Sequence, residues 1–230
     1  MLHIQKNLQE IKRNIKEAAN KSGRDEKDIT LIAVTKTVDE DIINEALELE
    51  IQDIGENKVQ EIQRKYDNIK EGIKWHMIGH LQSNKVKYII DKVSLIHSLD
   101  RISLAKEIQK RAKQNNITMD CLVQVNISEE ESKFGLKKEK VITFIESVLK
   151  YENIKIKGLM TMAPYMEDSE KTRCVFRELK KLSQEIEERA FPGVEMKFLS
   201  MGMTNDYMVA IEEGSNMVRI GTGIFGKRNY

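Results

Sequence analysis

Thr30-Leu-Ile-Ala-Val-Thr-Lys36, followed by helical spacing from Asp39 through Ile43 and Leu47, is the stretch that decides the fold. A short apolar run closed by polar residues, then apolar residues four apart, reads as one strand and one helix. The same alternation recurs outward from it. Strand-like runs fall at 51–55, 74–79, 94–99, 119–126, 154–162, 196–201 and 216–220, so eight strands are expected with the first. Helices between them are marked by Val59, Ile62 and Tyr66; Val86, Ile89 and Ile90; Leu104, Ala105, Ile108 and Ala112; Val141, Ile145 and Val148; and Val175, Leu179, Leu182 and Ile186. Before the first unit, Ile4, Leu8, Ile11, Ile15 and Ala18 make one stripe of an extra N-terminal helix.

Strict strand-helix alternation implies a parallel sheet. Eight units in about 200 residues fit a compact α/β fold, a (β/α)8 TIM-type barrel; an open doubly wound sheet is the alternative. No Ser/Pro/Gly-rich linker interrupts the pattern, and Pro164 and Pro192 fall in loops, so residues 1–230 are expected to form a single domain.

Composition narrows the partners. The 230 residues carry 38 Lys+Arg and 37 Asp+Glu, and 38 − 37 = +1 gives no field that selects a polyanion, so no nucleic-acid partner is expected. Lys137, Lys138 and Lys140 read as solvated helix faces. Hydrophobic residues make up 40%, enough for a domain of this length to bury roughly 70–75% of its unfolded surface. Glu10 interrupts the N-terminal pattern, so neither a signal peptide nor a membrane span is expected. Cys121 and Cys174 stand far apart with no CxxC, which points to neither a disulfide framework nor a thiolate metal site. A cytoplasmic protein is the expectation.

In a barrel, function collects on the loops after the carboxyl ends of the strands. There the sequence places Lys36; Gly55, Glu56 and Asn57; Gly79 and His80; Ser98 and Asp100; Asn126; Thr161; Ser200 and Gly202; and Gly221, Thr222 and Gly223. Lys36 ends a face shared with Ile32 and Val34, opposite Leu31, Ala33 and Thr35. If that face lines the interior, the ammonium is partly desolvated, its pKa falls, and the amine becomes a nucleophile for a carbonyl. The bland alternative is a lysine that snorkels to the rim.

At the other end of the chain, Asn216-Met-Val-Arg-Ile-Gly-Thr-Gly-Ile-Phe-Gly226 is a strand running into a GxGxxG turn. A dinucleotide reading fails, because four residues after Gly226 leave no room for a βαβ unit or a ribose-binding acid. A phosphate reading survives, since barrels commonly hold phosphate between the loops after strands seven and eight. There Ser200 and Gly202 meet Gly221, Thr222 and Gly223 as donors; tight turns are the structural alternative. Barrel closure sets strand eight about 4.8 Å from strand one. An inward Arg219, sharing a face with Met217, then reaches the pocket of Lys36. An amine, a guanidinium and a phosphate cradle suit a phosphorylated carbonyl compound with a ring nitrogen, such as pyridoxal 5′-phosphate (PLP).

Seven motifs follow in order: Ala33-Val-Thr-Lys-Thr37, Gly55-Glu-Asn-Lys-Val-Gln-Glu61, Trp75-His-Met-Ile-Gly-His-Leu-Gln-Ser-Asn-Lys85, Ser132-Lys-Phe-Gly135, Gly158-Leu-Met160, Leu199-Ser-Met-Gly-Met203 and Met217-Val-Arg-Ile-Gly-Thr222. On these, nearly the whole chain resembles the pyridoxal-phosphate homeostasis protein family, related to the barrel domain of alanine racemase. The resemblance implies that Lys36 carries PLP as an aldimine, Asn57 borders it, Ser200, Gly221, Thr222 and Gly223 hold its phosphate, and Arg219 faces its pyridine nitrogen. Thr35 and Thr204 stand where serine is frequent, and His80 replaces a commonly small or Pro residue.

The resemblance further implies a monomeric carrier or regulator of PLP and amino-acid balance, with apo PLP-dependent enzymes as recipients and without robust turnover. Racemisation needs acid and base groups on both faces of a carbanion; alanine racemase takes one from a C-terminal domain, whereas this sequence ends at Tyr230. A guanidinium at Arg219 keeps its proton and leaves the ring a weak electron sink. The alternative is a PLP-dependent amino-acid racemase or another Schiff-base lysine enzyme. An aldolase is disfavoured, because Lys155 and Lys157 lie near the start of strand six. His76 and His80 lack a third ligand of diagnostic spacing, so no metal is expected. Glu129-Glu130-Glu131 reads as a solvated loop, Lys133 either approaches phosphate or faces water, and Met160, Met162 and Met217 read as core filling.

Overall fold

Eight strands pair in parallel and in chain order to close a barrel: β1 (Thr30–Val34), β2 (Asp53–Glu56), β3 (Lys74–Met77), β4 (Leu95–Leu99), β5 (Met119–Gln124), β6 (Ile154–Met160), β7 (Val194–Met203) and β8 (Met217–Ile220). The computed structural model describes residues 2–130 and 132–226, so Glu131 of the acidic run and the terminal Tyr230 lie outside the described residues. Closure is made by β1 against β8, with Ile32 opposite Arg219. The open-sheet alternative is thereby excluded.

The two faces of each strand go to two separate cores, as period-two alternation requires. Inward-facing Ile32, Leu95, Leu122, Met160 and Met217 fill the barrel. Outward-facing Ala33, Ile54, Val123, Leu199, Val218 and Ile220 pack under the helices. These are α1 (Leu2–Lys21), α2 (Glu40–Leu47), α3 (Val59–Lys65), α4 (Ile102–Gln114), α5 (Val141–Val148), α6 (Arg173–Glu188), α7 (Tyr207–Glu212) and α8 (Thr222–Phe225). Among the described residues no helix is long and apolar enough to cross a membrane.

Two crossovers differ from the expected pattern. Between β3 and β4 the expected helix is a 3-10 segment, Ser83–Tyr88. Val86, Ile89 and Ile90 are still buried, and the spacing of three between Val86 and Ile89 suits a three-residue turn. Between β7 and β8, α7 carries no clear stripe, because Tyr207, Val209, Ala210 and Ile211 are all buried.

The extra helix has a place dictated by this economy. Since α8 is a single turn, it cannot cover the seam where the barrel closes, and α1 packs beside α7 and α8 with Ile4, Leu8, Ile11 and Ile15 inward. Asn7 Nδ2 donates to Ile224 O at 2.9 Å and Asn14 Nδ2 to Tyr207 Oη at 3.0 Å, tying the three helices together. Elsewhere the barrel depends on a glycine: Gly158 sits at φ 145°, where a Cβ would lie 1.9 Å from Phe198 O. The ladders of β6 shift register at that point against both neighbours.

Candidate functional site

Lys36 follows β1 on the face of Ile32, half-buried, and lines the cavity; the chain then turns away at Thr37, whose φ of 64° is a left-handed conformation uncommon for a β-branched residue. No hydrogen-bond or ion-pair partner meets its ammonium among the described residues. The strand end that carries it is braced from outside. Thr35 Oγ1 donates to Glu56 Oε1 at 2.7 Å, and Lys65 Nζ reaches both Thr35 O and Glu56 Oε1 at 2.8 Å. Lys65 and Glu56 are fully buried; burial pushes the Glu56 carboxyl up, opposed by its bonds to Lys65 and Thr35. A pair this deep costs desolvation on both sides and is retained only with every donor placed. Lys65 was not singled out from the sequence, although its position three after Ile62 puts it on the apolar stripe of α3.

Lys36, Asn57, Arg219, Gly221 and Thr222 line one cavity of about 520 Å³ at the carboxyl end of the barrel. Asn57 is brought in by a close backbone approach: a Cβ on Gly79 would lie 2.2 Å from Asn57 O, so only glycine fits there. Arg219 is 4% exposed, and it donates from Nη1 to Ser200 Oγ at 2.6 Å and from Nη2 to Thr161 O at 2.9 Å. Burial lowers its pKa to about 10, with Asp206 opposing, so the guanidinium keeps its proton at neutral pH.

Ser200 lies deeper than the other expected phosphate residues. Its side chain is fully buried inside the barrel, bonded to His97 Nδ1 at 3.0 Å and to Arg219, and it does not line the cavity. The residue after β7 that meets the glycine turn is Thr204, which lines the cavity. Its Oγ1 lies 3.2 Å from Thr222 Oγ1 and accepts from Gly223 N at 3.3 Å. The signal for it was the departure from serine at that position, since a threonine keeps the hydroxyl. Gly223 thus sits at the edge of the turn, with Thr222 and Gly221 facing the cavity.

The remaining lining is mixed. Gln124 Nε2 donates to Phe134 O at 3.2 Å while its buried Oε1 has no partner among the described residues. His80 stacks on Phe134 with ring centroids 3.9 Å apart, its Nδ1 3.8 Å from Asp100 Oδ2. Lys133 is held by Glu130 Oε1 at 2.8 Å, away from the turn after β8. Tyr165 and Met166 form an exposed apolar rim.

The family model "Alanine racemase, N-terminal domain" matches residues 6–229. The pyridoxal phosphate homeostasis protein of Aquifex aeolicus (strain VF5) is 45% identical over 224 residues, covering 97% of this chain and 97% of that protein. Among solved structures, an unknown protein from Bifidobacterium adolescentis superposes with a TM-score of 0.91 at 35% identity, over 97% of this chain and 94% of that one. PipY of Synechococcus elongatus PCC7942, solved with PLP bound, superposes with a TM-score of 0.81 at 28% identity, over 92% of this chain and 100% of that one.

Proposed function

Because the chain belongs to the pyridoxal phosphate homeostasis protein family, we propose that it binds PLP in the cavity at the carboxyl end of its barrel and acts as a carrier rather than as an amino-acid racemase. The observation that carries this reading is a lysine, without a partner among the described residues, facing the same cavity as a hydroxyl-lined glycine turn and a buried guanidinium. PLP supplies an aldehyde that condenses with a lysine amine and a ring that withdraws electrons.

The residues present fit that group. Among the described residues Lys36 offers its amine without an ion pair to break. Thr222 begins α8, so its N–H is a first-turn donor without an intrahelical partner. With the hydroxyls of Thr204 and Thr222 it makes an edge suited to a phosphate. Arg219 is a fixed cation at the cavity floor and Asn57 closes the side next to Lys36.

The carrier reading rests on how the proton-transfer groups that line the cavity are held. Arg219 cannot yield its proton near neutral pH, which keeps the ring a weak electron sink. His80 is stacked on Phe134 with Nδ1 toward Asp100, the Asp206 carboxylate is engaged by Met203 N at 2.6 Å, and Tyr165 is 77% exposed on the rim, so none of the three is presented as a second acid or base. The exposed rim suits a monomer that gives PLP up to apo PLP-dependent enzymes.

Borohydride reduction of the PLP-treated protein, followed by peptide mass mapping, should place a pyridoxyl group on Lys36; modification of another lysine instead would sink the assignment. Incubation with L-alanine in deuterated water should give no sustained Cα–H exchange. Turnover abolished by Lys36→Ala would make the chain a racemase.

A further inference from the structure

A single hydrogen-bond chain crosses the barrel interior behind the cavity. Asp53 Oδ1 lies 2.9 Å from His76 Nε2, His76 Nδ1 lies 3.0 Å from His97 Nε2, and His97 Nδ1 lies 3.0 Å from Ser200 Oγ. Ser200 Oγ then accepts from Arg219 Nη1 at 2.6 Å. The five residues come from β2, β3, β4, β7 and β8. Asp53 opens toward the amino-terminal face beside Thr30 and Lys74, whereas Arg219 lines the cavity at the other end.

Around the chain the interior packs Ile32, Leu95, Leu122, Met160 and Met217, so an apolar filling was available. Burying this many polar groups is costly unless every one is bonded. The bonding also has one consistent direction. A guanidinium only donates, and the Ser200 hydroxyl finds its acceptor when its proton points to His97 Nδ1. Burial, with His76 and Arg219 nearby, holds His97 far below the usual imidazole range, so it is neutral. Its one proton therefore sits on Nε2 and faces His76 Nδ1. His76 in turn donates from Nε2 to the Asp53 carboxylate.

We propose that Asp53, His76, His97 and Ser200 are positioning residues whose one-directional hydrogen-bond chain fixes the guanidinium of Arg219 at the cavity floor for the ring nitrogen of PLP. The inference rests on the reading that this cavity takes PLP. With its hydroxyl proton committed to His97, Ser200 presents only lone pairs to Arg219. Thr161 O supplies the second acceptor. Reversing His97 alone would set its Nε2 lone pair against that of His76 Nδ1, and reversing His76 alone would set two N–H groups against each other and a lone pair against Asp53.

Long-range 1H–15N spectra of the ligand-free, histidine-labelled protein at pH 7 should show His76 and His97 both neutral with the proton on Nε2. An Nδ1–H tautomer or an imidazolium at either residue overturns the chain. In the PLP-loaded protein, Ser200→Ala should shift the absorption maximum of the bound cofactor and weaken its binding about tenfold, the scale of one charge-assisted hydrogen bond. Asp53→Asn keeps an acceptor and should leave tautomers and spectrum unchanged, whereas Asp53→Leu should reproduce the Ser200→Ala spectrum. Wild-type tautomers and spectrum in Asp53→Leu, or a wild-type spectrum in Ser200→Ala, overturn the proposal. If the wild-type protein took up no PLP, the functional reading would fail, while the ligand-free tautomers would still decide whether the chain exists.

Discussion

At the scale of single residues, the site separates groups that hold the fold from groups kept free for a ligand. Lys36 and Lys65 are both lysines near the carboxyl end of the barrel, yet Lys65 is fully buried against Glu56 and Glu61 while Lys36 has no partner among the described residues. Lys36→Ala should therefore abolish the borohydride-trapped pyridoxyl group while changing urea-unfolding stability by no more than about 0.5 kcal/mol, as for a residue outside the core. Lys65→Ala should leave Glu56 buried without its cation and cost roughly 3–5 kcal/mol. Thr204→Val removes only the hydroxyl facing Thr222 and Gly223. It should weaken PLP binding about tenfold in a titration and leave the weaker binding of pyridoxal, which lacks the phosphate, unchanged. Equal losses for both ligands would remove Thr204 from the phosphate edge.

At the scale of elements, the barrel needs one strand to bend and one helix to substitute for another. Gly158 lets β6 shift register against β5 and β7. Gly158→Ala adds a Cβ 1.9 Å from Phe198 O at a φ that L residues rarely adopt. It should cost at least about 2 kcal/mol in urea unfolding, and a wild-type midpoint would show that the bend is not required. On α1, Leu8 is 3% exposed beneath the seam that α8 is too short to cover. Leu8→Ala should cost about 2–5 kcal/mol by leaving a cavity.

At the scale of the whole molecule, the buried histidine chain links stability to pH. The native pKa of His97 is depressed, its largest cause being burial. As pH falls below the unfolded value of about 6.5, the unfolded state takes up a proton that the native state refuses. The stabilisation is thus present above about pH 6.5 and is lost as pH falls toward the native pKa, at up to about 1.4 kcal/mol per pH unit. Urea midpoints measured between pH 7.5 and 5.5 should fall with acid in the wild type and fall less steeply in His97→Gln. Parallel slopes would show that His97 does not carry the linkage.

The barrel itself was legible because a parallel strand flanked by crossover helices leaves a local record: an apolar run, a polar end and a helical stripe, repeated from Thr30 to Ile220. Lys36, Asn57, Arg219, Gly221 and Thr222 were legible because strand parity and chain order alone bring strand ends to one rim. What stayed hidden depends on contacts between residues far apart in the chain. Parity and position also put Ser200 at the rim, but only the packed interior shows its hydroxyl bonded to His97, 103 residues away, and to Arg219. The burial of Lys65 likewise depends on Glu56 and Thr35 closing over it. The sequence by itself determined the order of strands, the face each residue takes and the residue types at the rim, since those follow from local periodicity. Only the tertiary structure decided which polar side chains spend their hydrogen bonds on one another and which remain free for a ligand, because that depends on distances across the barrel that no local pattern encodes.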